Sequence, residues 1–351
     1  MIQYTLKKLG YGFLVLVGVI LVVFFLFNVL PVNSARLTLG QRADVASVEA
    51  IEKELGLNLP MHQRLLKYIG EVSPLWIYEL NEENQTRLDY TVLIPLGNSG
   101  LTWKTPYLGR SYQTRRLVSE ILWEKIPSTF ILATAAMILA TIIGILLGIL
   151  SAVYHNKWID NVTVGLSVLG ISQPSYFSGI ILALVFGFLL HDYTGLNHVG
   201  ALFDLNDMGD EVILWHNLIL PTIALGIRPI AIIAQLSRSS MLDVMTQDYI
   251  RTAKAKGLSN NVVLFKHALR NAMNPVVTSI SGWYASLIAG AYFVEIIFDF
   301  KGLGYETVKS LLNFDFPVAM GSVLFTAAIF VVINMIVDIF YGFLDPRISV
   351  K

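Results

Sequence analysis

The side chains best placed for chemistry in this chain are cations. Arg251, Lys254, Lys256, Lys266 and Arg270 fall between Asp248 and Asn271, in the segment Asp248-Tyr-Ile-Arg-Thr-Ala-Lys-Ala-Lys-Gly-Leu-Ser259 and on through His267-Ala-Leu-Arg-Asn271. The chain contains no G-x-x-x-x-G-K-[ST] loop to cradle nucleotide phosphates, no H-E-x-x-H metal pair and no G-x-S-x-G nucleophile elbow. With no cysteine, thiolate ligands and Cys nucleophiles are excluded too. The chemistry open to this segment is therefore ionic recognition. Leu242, Met245, Tyr249 and Ala253 recur at helical spacing, which sets Arg251, Lys254 and Lys256 off an apolar face. Gly257 is a helix stop, and Ser259 can cap the next helix. The pattern predicts a helix, a sharp turn and a second helix, a contact surface for a soluble protein partner. An amphipathic helix lying on an anionic leaflet has the same charge pattern.

The elements that position this segment are read from hydropathy. Of 351 residues, 55% are hydrophobic and only 14% charged, which places the chain among integral membrane proteins. Its charges balance and are segregated along the sequence, so no basic face for nucleic acid arises. Leu9 to Leu30 is an unbroken apolar run about 33 Å long as a helix, enough to span a hydrocarbon core of about 30 Å. It is too long for a signal-peptide core, and Pro31-Val-Asn-Ser-Ala35 is a poor cleavage site. Further spans are expected at about 128–154, 162–190 with a kink at Gln173-Pro174, 218–235 interrupted by Arg228-Pro229, 275–297 and 320–344. The connection from His191 to Asn217 has no Lys or Arg, whereas seven stand between Arg228 and Arg270. The positive-inside bias then gives six spans with both termini cytoplasmic.

Residues 32–127 are the one extended polar region, expected outside. Ser47 can cap a short helix ending at Gly56, and Pro60 opens a second through Leu65, Leu66 and Ile69. The run Tyr90–Ile94 and the turn signal Asn98-Ser-Gly100 suggest a small hairpin, with Pro95 confining its first strand to an edge. Within the spans, Ala136, Ala140, Gly144, Gly148 and Ala152 form a stripe of small residues for close helix packing. Asn28 and Asn334 are expected to hydrogen-bond between helices. Asp338 is expected near the inner interface, paired with a base, and Glu295 is a gate candidate near the external end of the fifth span.

The segment from Asp248 resembles the EAA loop of binding-protein-dependent ABC importer permeases, whose pattern is EAA, three residues, Gly, nine residues, I-x-L-P. Here the triplet falls on Arg251-Thr252-Ala253, the glycine on Gly257, and the closing residues on His267, Ala268, Leu269 and Arg270. The departures at Arg251, Thr252, His267 and Arg270 match the peptide, opine and nickel uptake branch. Phe27-Asn-Val-Leu-Pro31, Glu54-Leu-Gly-Leu-Asn58, Leu108-Gly-Arg-Ser-Tyr112, Glu295-Ile-Ile-Phe298, Gly302-Leu-Gly304 and Leu344-Asp-Pro-Arg347 extend the resemblance over nearly the whole chain. It is closest to the B-type subunit of dipeptide and oligopeptide importers. Residues 75–106 look like an insertion, and Lys301 stands where a proline commonly precedes Gly-Leu-Gly.

That resemblance implies an all-α, six-span type I importer permease in a bacterial inner membrane. Its parts would be an N-terminal span (1–31), an external loop (32–127), a five-span core (128–344) holding the coupling loop 238–274, and a cytoplasmic tail (345–351). It implies a transport subunit rather than an enzyme, for small peptides, with nickel chelates and glycosides as alternatives. No cofactor is expected on this chain, ATP being used by two partner ATPase subunits. A homologous second permease, pairing as a heterodimer, and an external substrate-binding protein complete the expected assembly. Asp248, Tyr249, Arg251, Thr252, Ala253, Lys254, Lys256, Gly257, His267, Leu269 and Arg270 would couple to the ATPase. The reading from another class is an ATP-independent secondary transporter, for which broken helices at Pro174 and Pro229 are the only hints.

Overall fold

The computed structural model describes residues 2–29, 59–205 and 208–344. The helix expected from Ser47, and the motifs at Glu54–Asn58 and beyond Leu344, lie outside these residues, as do the side chains of Asn28 and Asp338. In chain order, the apolar helix α1 (Ile2–Val29) is followed by α2 (Met61–Val72), β1 (Leu75–Glu79), α3 (Glu82–Leu88), β2 (Thr91–Leu96) and β3 (Ser99–Trp103). Then come α4 (Val118–Val153), α5 (Trp158–Ser172), α6 (Ser175–Leu189), the short strands β4 (Phe203–Leu205) and β5 (Glu211–Ile213), and α7 (His216–Met245). The chain closes with α8 (Asp248–Ala255), α9 (Leu269–Gly290), α10 (Tyr292–Ile297), α11 (Leu303–Leu312) and α12 (Phe316–Leu344).

Four helices among the described residues are long and apolar enough to cross a membrane, at Leu6–Phe27, Val118–Val153, His216–Met245 and Phe316–Val337. The pair α5 and α6 makes a fifth if counted as one span. The helix α9 occupies the place of the expected fifth span but is less apolar than these, because it carries Arg270, Asn271, Asn274, Thr278, Ser279 and Ser281. Three boundaries also move. Pro127 lies inside α4 instead of preceding it. α7 runs unbroken through both Pro221 and Pro229, since neighbouring groups in a bundle can offset a proline's missing donor. At Gln173-Pro174 the expected kink is a bend of 105°, because proline disfavours the helical conformation in the residue before it.

The chain divides into two compact units. One comprises Tyr11–Glu124 and Glu306–Ala328. In it, Pro60 stands at the N-cap of α2, and the expected hairpin is part of an antiparallel sheet of order β1-β3-β2, so this region is not all-α. Pro95 sits on the edge strand β2, where its missing N–H breaks no ladder, and Gly97 turns the hairpin at φ 68°. Lys104 is buried, its Nζ donating to the Glu71 carbonyl and lying 5.9 Å from the Tyr78 ring centre. Burial pushes this ammonium down to about 8, and pushes the Tyr78 phenol up to about 12.

The other unit comprises Met1–Gly10, Lys125–Tyr305 and Ile329–Lys351. Its main core joins Leu132, Ala136 and Ala140 of α4 to Leu220, Ala224 and Ile233 of α7 and to Val276 and Ile288 of α9. Ala136, Ala140, Gly144 and Gly148 are all buried. A Cβ on Gly144 would stand 2.8 Å from that of Ile233, and one on Gly148 would stand 2.7 Å from the Ala234 carbonyl oxygen. Small residues here let two helix backbones meet. Asn334 donates to the Phe330 carbonyl of its own helix rather than across to another, the local acceptor one turn back being nearer.

Candidate coupling surface

The helix α8 begins after a break at Thr246-Gln247, and that break resets which residues face inward. Ile250 is fully buried and Ala253 nearly so, packed with Ile149, Met241, Val263, Ala268 and Ala272. Burying an isoleucine contributes about 2 kcal/mol, so this pair seats the helix. Tyr249, expected on the apolar face, is 42% exposed instead, because the helical period of α7 does not continue through the break. Asp248, Arg251, Thr252, Lys254 and Lys256 are exposed with it, and Arg251 lies 3.6 Å from Asp248.

The stop at Gly257 has a specific geometry. The Leu258 N–H donates to the Ala253 carbonyl at 3.4 Å and the Gly257 N–H to that of Lys254 at 3.0 Å, the paired bonds of a Schellman motif. Gly257 has φ 77°, where a Cβ is strained although nothing lies within 4 Å of it. Ser259 holds the following N-cap position through its carbonyl, which accepts from the Val263 N–H at 3.0 Å, with no side-chain cap. From there a widened helical stretch, Val263–Ala268, runs directly into α9. His267 and Leu269 are half-buried along it, and Lys266 and Arg270 are exposed. Asn271 Nδ2 donates to the Tyr249 hydroxyl at 3.0 Å and to the His267 carbonyl at 3.1 Å, tying α8 to α9. The result is a fastened helix pair that presents cations and one tyrosine outward.

A second cluster lies on α7 ahead of this element, and its pairing leaves no trace in the local sequence. Asp160, at the start of α5, is 2% exposed and accepts from Arg238 of α7 through Nε at 2.6 Å and Nη2 at 2.8 Å. The Ser151 hydroxyl, the Asn156 N–H at 2.9 Å and His155 Nδ1 at 3.1 Å complete its shell. A bidentate, charge-assisted pair of this kind fixes orientation as well as distance. It binds the turn between α4 and α5 to the part of α7 that leads into α8. Each residue is unremarkable in its own stretch, and 78 positions separate them.

Glu295, the gate candidate, is fully buried in α10. Thr129 Oγ1 donates to its Oε1 at 2.7 Å, the Tyr305 N–H donates to Oε2 at 2.9 Å, and the Leu303 N–H donates back to Thr129 Oγ1 at 2.8 Å. A Cβ on Gly302 would stand 2.6 Å from the Glu295 carboxyl carbon, which explains a glycine there. This carboxylate clamps the Gly302-Leu-Gly304 turn. Among the described residues, no group of three or more His, Asp or Glu is arranged to hold a metal ion.

Comparison with known proteins places these features in context. A family model described as binding-protein-dependent transport system inner membrane component matches residues 144–350, and its N-terminal companion matches residues 1–76. The dipeptide transport system permease protein of Alkalihalophilus pseudofirmus is 33% identical over 367 aligned residues, covering 99% of this chain and all of that one. The glutathione transport system permease protein of Salmonella choleraesuis is 34% identical over 352, covering both completely. Among solved structures, a chain of the inward-facing MetNI methionine ABC transporter has a TM-score of 0.48 and 15% identity, covering 63% of this chain and 94% of its own.

Proposed function

The chain belongs to the binding-protein-dependent ABC importer permeases, and from that premise we propose that it forms half of a translocation pathway for small peptides. The full-length similarity to permeases named for dipeptide and glutathione transport, both small peptides, carries this reading. A homologous second permease supplies the other half, two ATPase subunits use the ATP, and an external binding protein delivers the solute. The chain resides in a bacterial inner membrane with both termini cytoplasmic, and it binds no cofactor of its own.

Coupling follows from the fastened helix pair. A lever must be rigid and must make different contacts in two states of its partner. Ile250 and Ala253 supply the rigidity, and Tyr249, Arg251, Lys254, Lys256 and Arg270 supply contacts for an ATPase cleft. Closure of the ATPases on ATP pushes α8, and the Asp160–Arg238 pair carries the push into α5 and α7.

Purification from membranes tests this directly. The wild-type chain is expected to bring down its ATPase subunits, and K254E together with K256E is expected to lose them while the chain still folds. ATP-independent transport by the purified chain alone would sink the proposal.

A further inference from the structure

Arg228 stands thirteenth among the thirty residues of α7, roughly 18 Å of helix from one end and about 25 Å from the other. An ionised group at such depth in an apolar helix is costly unless it faces a partner or a water-filled path. Its side chain is exposed, and among the described residues it makes no ion pair. Its guanidinium lies 5.6 Å from the ring centre of Trp283 in α9, an aromatic face that steadies a cation without neutralising it. Trp283 also lines an open hollow of about 350 Å³ with Ser279, Gly282 and Ser286.

These four residues of α9 follow a spacing of three, four and seven, so they share one helix face. Its composition differs from a lipid-facing one. On α4 the exposed positions one turn apart are Ile138, Ile142, Leu146 and Leu150, all apolar. On α9 the corresponding surface is the half-buried Ser279 and the exposed Gly282 and Ser286 beside an arginine, while Ala285, Leu287 and Ile288 are buried in the unit. Hydroxyls and a guanidinium with no ion pair among the described residues suit water and a polar solute rather than hydrocarbon.

We propose that Arg228, with the hydroxyls of Ser279 and Ser286 on α9, forms a carboxylate-binding station on the translocation pathway, engaging the C-terminal carboxylate of a passing peptide. The guanidinium fork matches a carboxylate with two parallel N–H···O bonds, and the hydroxyls of Ser279 and Ser286 can complete its shell. The station rests on the peptide reading given above.

The test uses the whole importer in proteoliposomes, with binding protein and ATPases, and labelled trialanine as the probe. R228Q is expected to lower uptake about tenfold or more, and R228K to recover part of it, since an ammonium keeps the charge without the two-pronged fork, with ATPase stimulation by the binding protein unchanged. A second pair of variants does not depend on tolerance of the Arg228 change. A Cβ at Gly282 meets nothing within 4 Å, so a side chain can start there; G282D is designed to offer Arg228 a competing carboxylate, and G282N to add the same volume without charge. G282D is expected to lower uptake about tenfold and G282N by less than about twofold. Full uptake by R228Q, R228K no better than R228Q, or G282N as poor as G282D would overturn the station and leave the peptide reading standing. No trialanine uptake by a wild-type complex whose ATPase responds to its binding protein would remove the peptide reading, and the station with it.

Discussion

Asp160 and Glu295 are both carboxylates sealed from solvent in the same compact unit, yet their partners differ in kind. Asp160 meets a guanidinium through two bonds, a hydroxyl and a backbone N–H, and in doing so joins chain segments 78 residues apart. Glu295 meets a hydroxyl and backbone N–H groups and holds a turn that begins a few residues further on. The first arrangement depends on charge, because removing either ion leaves the other buried and uncompensated. The second depends on shape and acceptor count, because its donors are neutral and need only an oxygen in the right place. One region fastens helices to each other, and the other fastens a turn.

The largest effect is expected where charge is broken. D160N leaves the Arg238 guanidinium largely enclosed, with 23% of its side chain exposed, and should cost about 3 kcal/mol, read as lowered thermal stability of the detergent-solubilised chain. Pairing D160N with R238Q should recover about half of that loss, since neither ion is then stranded. Additive losses would show that the two residues are not coupled and dissolve the contrast. At Glu295 the order should reverse in emphasis: E295Q keeps an acceptor oxygen and should cost about 1 kcal/mol, while E295A strands the Thr129 hydroxyl and the Tyr305 N–H and should cost about 2 to 3 kcal/mol. An E295Q chain as damaged as D160N would mean that charge governs both sites.

The smallest effect extends the comparison to a buried cation with a neutral acceptor. Lys104, its pKa pushed down to about 8, binds fewer protons folded than unfolded from that pH up to its ordinary value of 10.5. The stability of the surrounding sheet should therefore rise with pH from about 8 toward 10. Above about 10 the sign turns, because Tyr78 and Tyr68, pushed up by burial, stay protonated folded while their unfolded counterparts ionise. Resistance of residues 61–104 to limited proteolysis in the intact protein should be higher at pH 9.5 than at pH 7.5, and K104M should flatten that difference. Equal protease resistance of the wild type at both pH values would show that Lys104 is not buried as a strained cation.

What local sequence could and could not convey follows from range. Gly257 was readable because a left-handed residue at a helix end selects its own residue type, and Pro95 because a missing donor confines a strand to an edge. The strand β1 was hidden: Leu75–Glu79 becomes a strand by pairing with Ser99–Trp103, a partner about twenty-four residues away. Tyr249 faces outward because a two-residue break shifts helical phase, which a periodicity carried across the break cannot register. The Asp160–Arg238 pair, like the approach of Arg228 to Trp283, depends on tertiary packing that neither stretch encodes alone.

The contact between α4 and α7 bears on kinematics. Gly144 and Gly148 admit Ile233 and Ala234 so closely that neither helix can ratchet past the other by a turn without driving backbone into side chain. Close backbone approach opposes sliding of one helix along the other, and the Asp160–Arg238 pair adds a directional tie between the start of α5 and α7. A displacement of α7 is therefore expected to carry the facing part of α4 with it.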